Sequence, residues 1–308
     1  MFPFSPLPLL PQELILQELD PIDIFCFSLL SRKSHLIAKR VKVTVENVHW
    51  VFEKQRACAW IIGGPHDDMC LSLESNPAEL DIYEKSMKCT FHGVTVDIQL
   101  KQGLQEMHLN IIPRTRLNLT EAGYERVLDV LNVKKFSVTL EECPIPPYML
   151  KTTTIFKKVE AWFKTERISE KDAVTLFNDI SVENFTMGTS TKEPFLEQQP
   201  LKHRKMTLHS ATWITKEVLM RMQCEVLHVS SVHKPNLTSE DLEEFFDAWK
   251  DGKYPKLKEL YITTKENSSW NLNVAPVDGH GKQVFEDVGG NTGVLKVGPR
   301  CLDFEVTP

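Results

Sequence analysis

Residues 7–30 read LPLLPQELILQELDPIDIFCFSLL, and 14 of these 24 residues are apolar or Cys, against 42% over the whole chain. Leu7-Pro8 and Leu10-Pro11 set an extended entry, because proline fixes φ and turns the residue before it away from helical angles. A helix is expected to begin about there. Gln12 and Glu13 suit the positive end of its dipole, and Leu14, Ile15, Leu16 and Leu19 form its apolar stripe. Asp20-Pro21 stops that helix and opens the next, with Asp20 as N-cap and Pro21 in the first helical position. Ile22, Ile24, Phe25, Phe27, Leu29 and Leu30 then place apolar groups on more than one side of the second helix. Ser31 is the expected cap of a third, basic helix through Arg40, whose sparse apolar positions cover only part of what the first two expose. A unit of about 40 residues without disulfide or metal rarely stands alone, so this segment must lean on something.

The order of these residues resembles the F-box, the helical motif that docks substrate-recruiting subunits onto the Skp-family linker of cullin-RING ubiquitin ligases. The resemblance rests on Leu7-Pro8, Ile15, Leu16, Leu19, Asp20-Pro21, Asp23, Ile24, Phe25, Leu29, Ser31, Arg32 and Lys33, with no gap needed. It implies linker contacts at Leu7, Pro8, Leu10, Ile15, Leu16, Leu19, Pro21, Ile24 and Phe25. The chain departs from the motif at Pro11 and Gln12, where apolar helix formers are usual, and at Ser34, where many F-boxes carry Trp. Pro11 and Gln12 are expected to shorten the first helix by a turn.

Composition narrows the function. The 308 residues carry 36 basic and 42 acidic side chains, a net charge of -6 with no long block of one sign, which argues against nucleic acid as a partner. Arg32, Lys33, Lys39, Arg40 and Lys42 form a local basic cluster that reads as a solvated helix face. The longest apolar run, Ala57 to Ile62, falls far short of a bilayer span, and Pro3, Pro6, Pro8 and Pro11 break any signal-peptide core. The seven cysteines (Cys26, Cys58, Cys70, Cys89, Cys143, Cys224, Cys301) are scattered and never paired as C-x-x-C, so they read as reduced thiols of a cytoplasmic or nuclear protein. The sequons at Asn118, Asn184, Asn236 and Asn267 are then incidental turn and cap chemistry.

Beyond the helices the chain echoes itself. Residues 109–120 align without gaps on 227–238, an offset of 118, and each copy reads as strand, loop and capped helix followed by another strand. Tyr124, Val127, Leu128 and Leu131 recur at helical spacing in the first copy, Leu242, Phe245, Phe246 and Trp249 in the second. The closing strands are expected at Lys135–Leu140 and Leu257–Thr263. Further strands are expected at Val41–Phe52, Ser86–Leu100, Val182–Met187 and Lys205–His209. Helices are expected at Thr154–Thr165, Glu170–Asn178 and Thr215–Met222. The fold class is therefore α/β: a short all-α motif of three helices over residues 1–42, then a larger α/β domain of alternating strands and helices over 43–265. A parallel, leucine-rich-repeat-like sheet is the expected arrangement. From Glu266 onward glycine is dense, with six of the 13 between Gly279 and Gly298, so residues 266–308 read as a loop-rich tail carrying at most edge strands at Val294–Val297 and Leu302–Val306.

A second resemblance covers Lys205 to Thr263. Met206-Thr207-Leu208, Trp213-Ile214-Thr215, Leu227-His228-Val229, Asn236-Leu237-Thr238, Asp241-Leu242, Phe245-Phe246, Trp249 and Leu257 to Ile262 resemble, in order and spacing, the type 2 F-box-associated domain of nematode F-box proteins. With the amino-terminal motif it implies a non-catalytic adaptor that binds a Skp-family linker, and through it a cullin, while the α/β domain holds an unknown target protein.

Catalytic readings of the residues fail. Gly289-Gly290-Asn291-Thr292-Gly293-Val294-Leu295-Lys296 lacks the Gly-Lys-Ser/Thr of a phosphate loop, and His66 with Asp67 and Asp68 lacks the spacing of a metal site. No nucleophile elbow frames any of the 10 histidines, His228 and His233 included. Trp213 and Trp249 read as core side chains rather than a ligand-stacking pair. No cofactor, metal, nucleic acid or membrane is expected as a partner. The alternative to an adaptor is a repeat-type binding or structural module whose amino-terminal helices cap its own sheet; an enzyme with an unrecognised site is a second.

Overall fold

The computed structural model of the chain describes residues 7–53, 56–62, 69–74, 85–91, 94–102, 107–113, 119–165, 167–189, 194–231, 237–264, 270–275, 277–278 and 282–307. His66, Asp67, Asp68, His233, Asn118, Asn236, Asn267 and the echoed loops 114–118 and 232–236 lie outside the described residues. The chain divides into two compact units, Met1–Thr152 and Thr153–Pro308, so neither residue 42 nor residue 265 is a boundary between them.

In the first unit, α1 (Leu9–Gln17), α2 (Pro21–Leu30) and α3 (Arg32–Val41) lead into β1 (Val43–Val45), β2 (Asn47–Phe52), β3 (Arg56–Ile62), β4 (Met69–Glu74), β5 (Lys85–Phe91), β6 (Val94–Gln102) and β7 (Met107–Pro113). Helix α4 (Leu119–Val130), β8 (Leu131–Val133), β9 (Phe136–Glu141) and the short α5 (Pro147–Leu150) complete it. The sheet order is β9-β2-β3-β4-β7-β6-β5, and β1 pairs with β8 in a separate parallel ribbon. The sheet is mixed. β2 with β9 and β4 with β7 run parallel, whereas β2-β3, β3-β4, β5-β6 and β6-β7 are antiparallel. Only three residues separate β2 from β3, and two separate β5 from β6, too few for the crossover that a parallel pair needs. Along β2 the side chains alternate, so Val48, Trp50 and Phe52 reach the core, where Tyr124 of α4 meets Trp50 at 5.6 Å between ring centroids.

The second unit contains the expected parallel sheet. β10 (Ile155–Phe163), β11 (Ser181–Thr189), β12 (Lys205–His209), β13 (Val226–Ser231) and β14 (Glu259–Thr264) lie side by side in chain order, all parallel. They are joined by α6 (Glu170–Val174) with a π-helical turn (Thr175–Asp179), a 3-10 turn (Pro194–Gln198), α7 (Lys216–Met220) and α8 (Ser239–Lys250). Side-chain caps start these helices, as the sequence requires: Ser169 for α6, Thr215 for α7, and for α8 a capping box in which Thr238 and Asp241 exchange hydrogen bonds at 3.1 and 2.8 Å. Successive strands pair at offsets of 26, 21, 21 and 33 residues, so the strand order resembles a repeat array but no fixed repeat length runs through it. The two sequence copies differ in the same way: β13 lies beside β14, whereas β7 lies beside β4 and β6, away from β9.

Several sequence expectations give way here: Val41–Phe52 divides into the end of α3, β1 and β2, and Ser86–Leu100 folds into the β5–β6 hairpin. The segment expected as a helix at Thr154–Thr165 is strand β10. Its buried Phe156, Val159 and Phe163 mimic helical spacing, but Ile155, Val159, Trp162 and Phe163 are strand formers and the segment pairs with β11 along its length. The carboxyl-terminal segment is no loop-rich tail. β15 (Lys282–Glu286), β16 (Thr292–Val297) and β17 (Cys301–Thr307) form an antiparallel set whose last strand pairs with β14. Phe285, Leu295, Leu302 and Phe304 alternate into the core against Phe246 and Trp249 of α8, with Trp249 and Phe304 centroids 5.1 Å apart. Glycine there serves geometry. Gly290 turns the β15-β16 connection at φ +83°, and a Cβ on Gly293 would lie 2.7 Å from the Phe304 ring.

Trp213 and Trp249 are each 1% exposed and sit in separate aromatic clusters, Trp213 edge-on to Phe177 at 6.1 Å. In the same core His203 places Nε2 2.7 Å from the Leu176 carbonyl oxygen, and burial pushes its imidazole down to about 4. An unfolded histidine takes up its proton near pH 6.5, so between about pH 6.5 and 4 the unfolded state binds more protons and folding weakens as pH falls. Chemical denaturation of the second unit should lose up to about 3 kcal/mol across that window, and His203→Gln should flatten the dependence.

Candidate partner-binding surface of the amino-terminal helices

Helix α1 begins at Leu9, which puts Pro11 in its first turn, where a missing N–H costs nothing. Gln12, polar where the F-box pattern favours an apolar residue, is buried and its Nε2 donates to the Leu7 carbonyl at 2.8 Å, tying the extended entry back to the helix. Asp20 stands at the N-cap of α2 without a side-chain bond, with Pro21 next in the first helical position, and Ser31 caps α3 by accepting from the Ser34 N–H at 3.0 Å. Lys42 ends α3 in a left-handed conformation at φ 43°.

The three helices share their core with the rest of the first unit. α2 packs against α3, α4 and β1, and α1 packs against α3. Leu16, Ile24, Phe25, Leu29, Ile37 and Ala38 are all 5% exposed or less. Each large one contributes roughly 1.5–3 kcal/mol through burial. Polar contacts fix the docking to α4. Arg126 donates from Nη1 to the Ser28 carbonyl at 3.3 Å, beneath Ser28 Oγ donating to the Phe25 carbonyl at 2.6 Å. Asp129 holds Lys39 Nζ at 2.7 Å and lies 3.2 Å from His35 Nε2. Burial works to raise the Asp129 carboxyl, but Lys39 and His35 outweigh it and hold the group below the usual carboxylate range. Burial, reinforced by Arg126, lowers the His35 imidazole.

The nine residues implied as linker contacts therefore separate. Leu16, Pro21, Ile24 and Phe25 are buried inside the unit, Leu7 and Leu19 are half-buried, and Pro8, Leu10 and Ile15 are exposed. The structure adds residues that the pattern did not single out: Leu9, Leu14, Leu30 and Leu36 are exposed as well, Leu14 by 54%. Leu10 and Leu14 stand one turn apart on α1, so their side chains form one ridge, with Ile15 beside it. The sequence signal for Leu14 was present in the crowding of apolar residues on α1; which of them faces outward needed the packing of α1 on α3.

Burial pushes the Cys26 thiol of α2 and the Cys224 thiol of the second unit up to about 12, which removes thiolate reactivity. Asp287 accepts from the N–H groups of Gly289 and Asn291 and from Asn291 Nδ2 at 2.8–2.9 Å, so a carboxylate already fills the turn that resembled a phosphate loop. Among the described residues no group of three His, Cys, Asp or Glu is placed to hold a metal ion, and no helix is long and apolar enough to cross a membrane.

The class is therefore α/β, three amino-terminal helices packed on a mixed α/β body and presenting an exposed aliphatic ridge on α1. Comparison with known families places both resemblances on the chain: the F-box domain matches residues 4–46, and the family described as F-box associated matches residues 196–262, within the second unit. The uncharacterized protein F59B2.9 of Caenorhabditis elegans is 22% identical over 294 residues, covering 86% of this chain. The chain spans 63% of that relative's length. No solved structure matches it.

Substitution separates the two kinds of residue. Phe25→Ala should destabilise the first unit by about 3–5 kcal/mol, because it opens a cavity in the shared core, whereas Leu10→Asp and Leu14→Asp should change stability by less than about 0.5 kcal/mol. Denaturant midpoints followed through Trp50 and Trp60 fluorescence measure both.

Proposed function

We propose that the chain is a non-catalytic substrate adaptor of a Skp-cullin-F-box type ubiquitin ligase. In this reading the exposed ridge of α1 docks on a Skp-family linker and, through it, on a cullin, while the second unit holds a target protein. The observation that carries the reading is the Leu10–Leu14–Ile15 ridge, solvent-exposed within the segment that matches the F-box domain. An aliphatic ridge on a helix seats in a groove of a partner, where burial of each side chain contributes roughly 1.5–3 kcal/mol. Pro8 and Leu7, at the entry to α1, extend the same contact. Leu16, Pro21, Ile24 and Phe25 act indirectly, by holding α1 in place from beneath. Catalysis then belongs to other subunits, and the adaptor contributes proximity by raising the effective concentration of target beside the ubiquitin carrier.

A second reading is favoured by the burial of Leu16, Ile24, Phe25 and Leu29 against the rest of the first unit: the helices cap their own domain and bind nothing. Co-expression decides between them. The full chain should capture a tagged Skp-family linker, and Leu10→Asp, Leu14→Asp and Ile15→Asp together should abolish capture while the far-UV spectrum and denaturation midpoint stay at wild-type values. Absence of capture by the wild-type chain would leave the capping reading in place.

A further inference from the structure

At the amino ends of the parallel strands of the second unit, three cavities of about 540, 330 and 170 Å³ adjoin one another. Gln223 lines the 540 and 170 Å³ cavities, Glu225 the 540 and 330 Å³ cavities, and Lys256 all three, so they form one trough. Five cations stand along it: Lys202, Arg204, Lys253, Lys256 and Lys258.

Two of these cations are committed. Arg204 Nε and Lys258 Nζ both bind the Glu225 carboxylate, at 3.2 and 2.7 Å, and Arg204 reaches Glu183 at 3.5 Å. Lys202 donates to a neutral acceptor, the Asn178 carbonyl, at 2.8 Å. Among the described residues Lys202, Lys253 and Lys256 form no ion pair, and all three are exposed. Of the carboxylates in the walls, Glu225 is shared between two cations and Asp287 is held by its own turn, which leaves Asp179 against three ammonium groups. The lysine at the junction is carried on a fixed loop. Tyr254 Oη donates to the Met220 carbonyl at 3.0 Å, its ring stacks on Phe245 at 4.8 Å, and the Leu257 N–H bonds the Tyr254 carbonyl at 3.1 Å. A fixed loop spares the backbone's share of the ordering cost when a partner arrives and leaves only that of the side chain.

We propose that this trough binds an extended segment of the target protein rich in Asp and Glu. The inference rests on the adaptor reading and names the chemistry of its target. Arg204, whose fork would suit a carboxylate or a phosphate equally, is already engaged, so the choice between the two rests on how the free lysines are spaced. Lys202 and Lys253 line different cavities, with Lys256 between them, so the charges suit separate carboxylates along a chain rather than one compact dianion.

The test uses the full chain and a fluorescein-labelled peptide of mixed Glu, Asp and Ser, read by anisotropy. Saturable binding is expected, lost at about 1 M salt, where the Debye length falls to about 3 Å. Replacing Lys202, Lys253 and Lys256 with Glu should weaken binding at least about tenfold. Replacing all three with Arg should preserve it, and Lys253→Glu with Lys256→Glu, which leaves the Lys202 bond intact, should give an intermediate loss. Equal affinity for a Ser-Lys peptide, stronger binding of a phosphoserine peptide or an oligonucleotide, or an unchanged triple variant would each overturn the proposal. Linker capture by the same variants should stay at wild-type level. No saturable binding of the acidic peptide by the wild-type chain, with its linker capture intact, removes the acidic-segment assignment alone, whereas failure of capture by the wild type removes the adaptor reading.

Discussion

The second helix is too apolar to stand in a three-helix unit, and the structure of the first unit follows from where that surface goes. Ile24, Phe25 and Leu29 cannot all be covered by α1 and the basic α3, since α3 offers few apolar positions. Beyond α3 they are covered by α4 and β1, and the contact is fixed in register by Arg126 on the Ser28 carbonyl and by Asp129 between Lys39 and His35. Side chains of α1 that are not needed for this closure, Leu10, Leu14 and Ile15, are left in solvent. One apolar excess thus accounts for both the shared core and the exposed ridge.

Under the proposed adaptor role, joining the helices to the body of the first unit in this way has a mechanical consequence. A docking motif on a flexible tether would sample many orientations, and the effective concentration of a bound target would fall accordingly. Here the motif and the strands of its own unit are one packed body, so the ridge has a fixed direction relative to β1 and β2. The second unit contributes the complementary requirement, a sheet with a defined end where charged residues are ordered by strand register: Arg204, Glu225 and Lys258 precede adjacent strands and therefore meet.

Much of this was legible in the chain. Pro21 after Asp20, Ser31 three residues before Ser34, and Thr238 three before Asp241 mark helix starts through local chemistry, and each stands where the structure begins a helix. Lys205–His209 was readable as a strand to the residue. Where local pattern misled, a longer-range pairing was responsible. Phe156, Val159 and Phe163 have the spacing of a helix face, yet β11 supplies a partner for the whole segment. The glycines after residue 279 concealed β15 and the packing of β16 and β17, expected only as edge strands, onto α8, because Gly293 is small for the sake of Phe304 and Trp249, not for flexibility.

The sequence by itself determined the class of the chain, the presence and order of its amino-terminal helices and the strand-helix alternation of the second unit, since these depend on caps, proline and periodicity within a few residues. The split between buried and exposed members of the candidate docking set belonged to tertiary structure alone. Leu10, Leu16 and Phe25 are equally apolar, and only the approach of α3, α4 and β1, residues far along the chain, decides which of them retains contact with water.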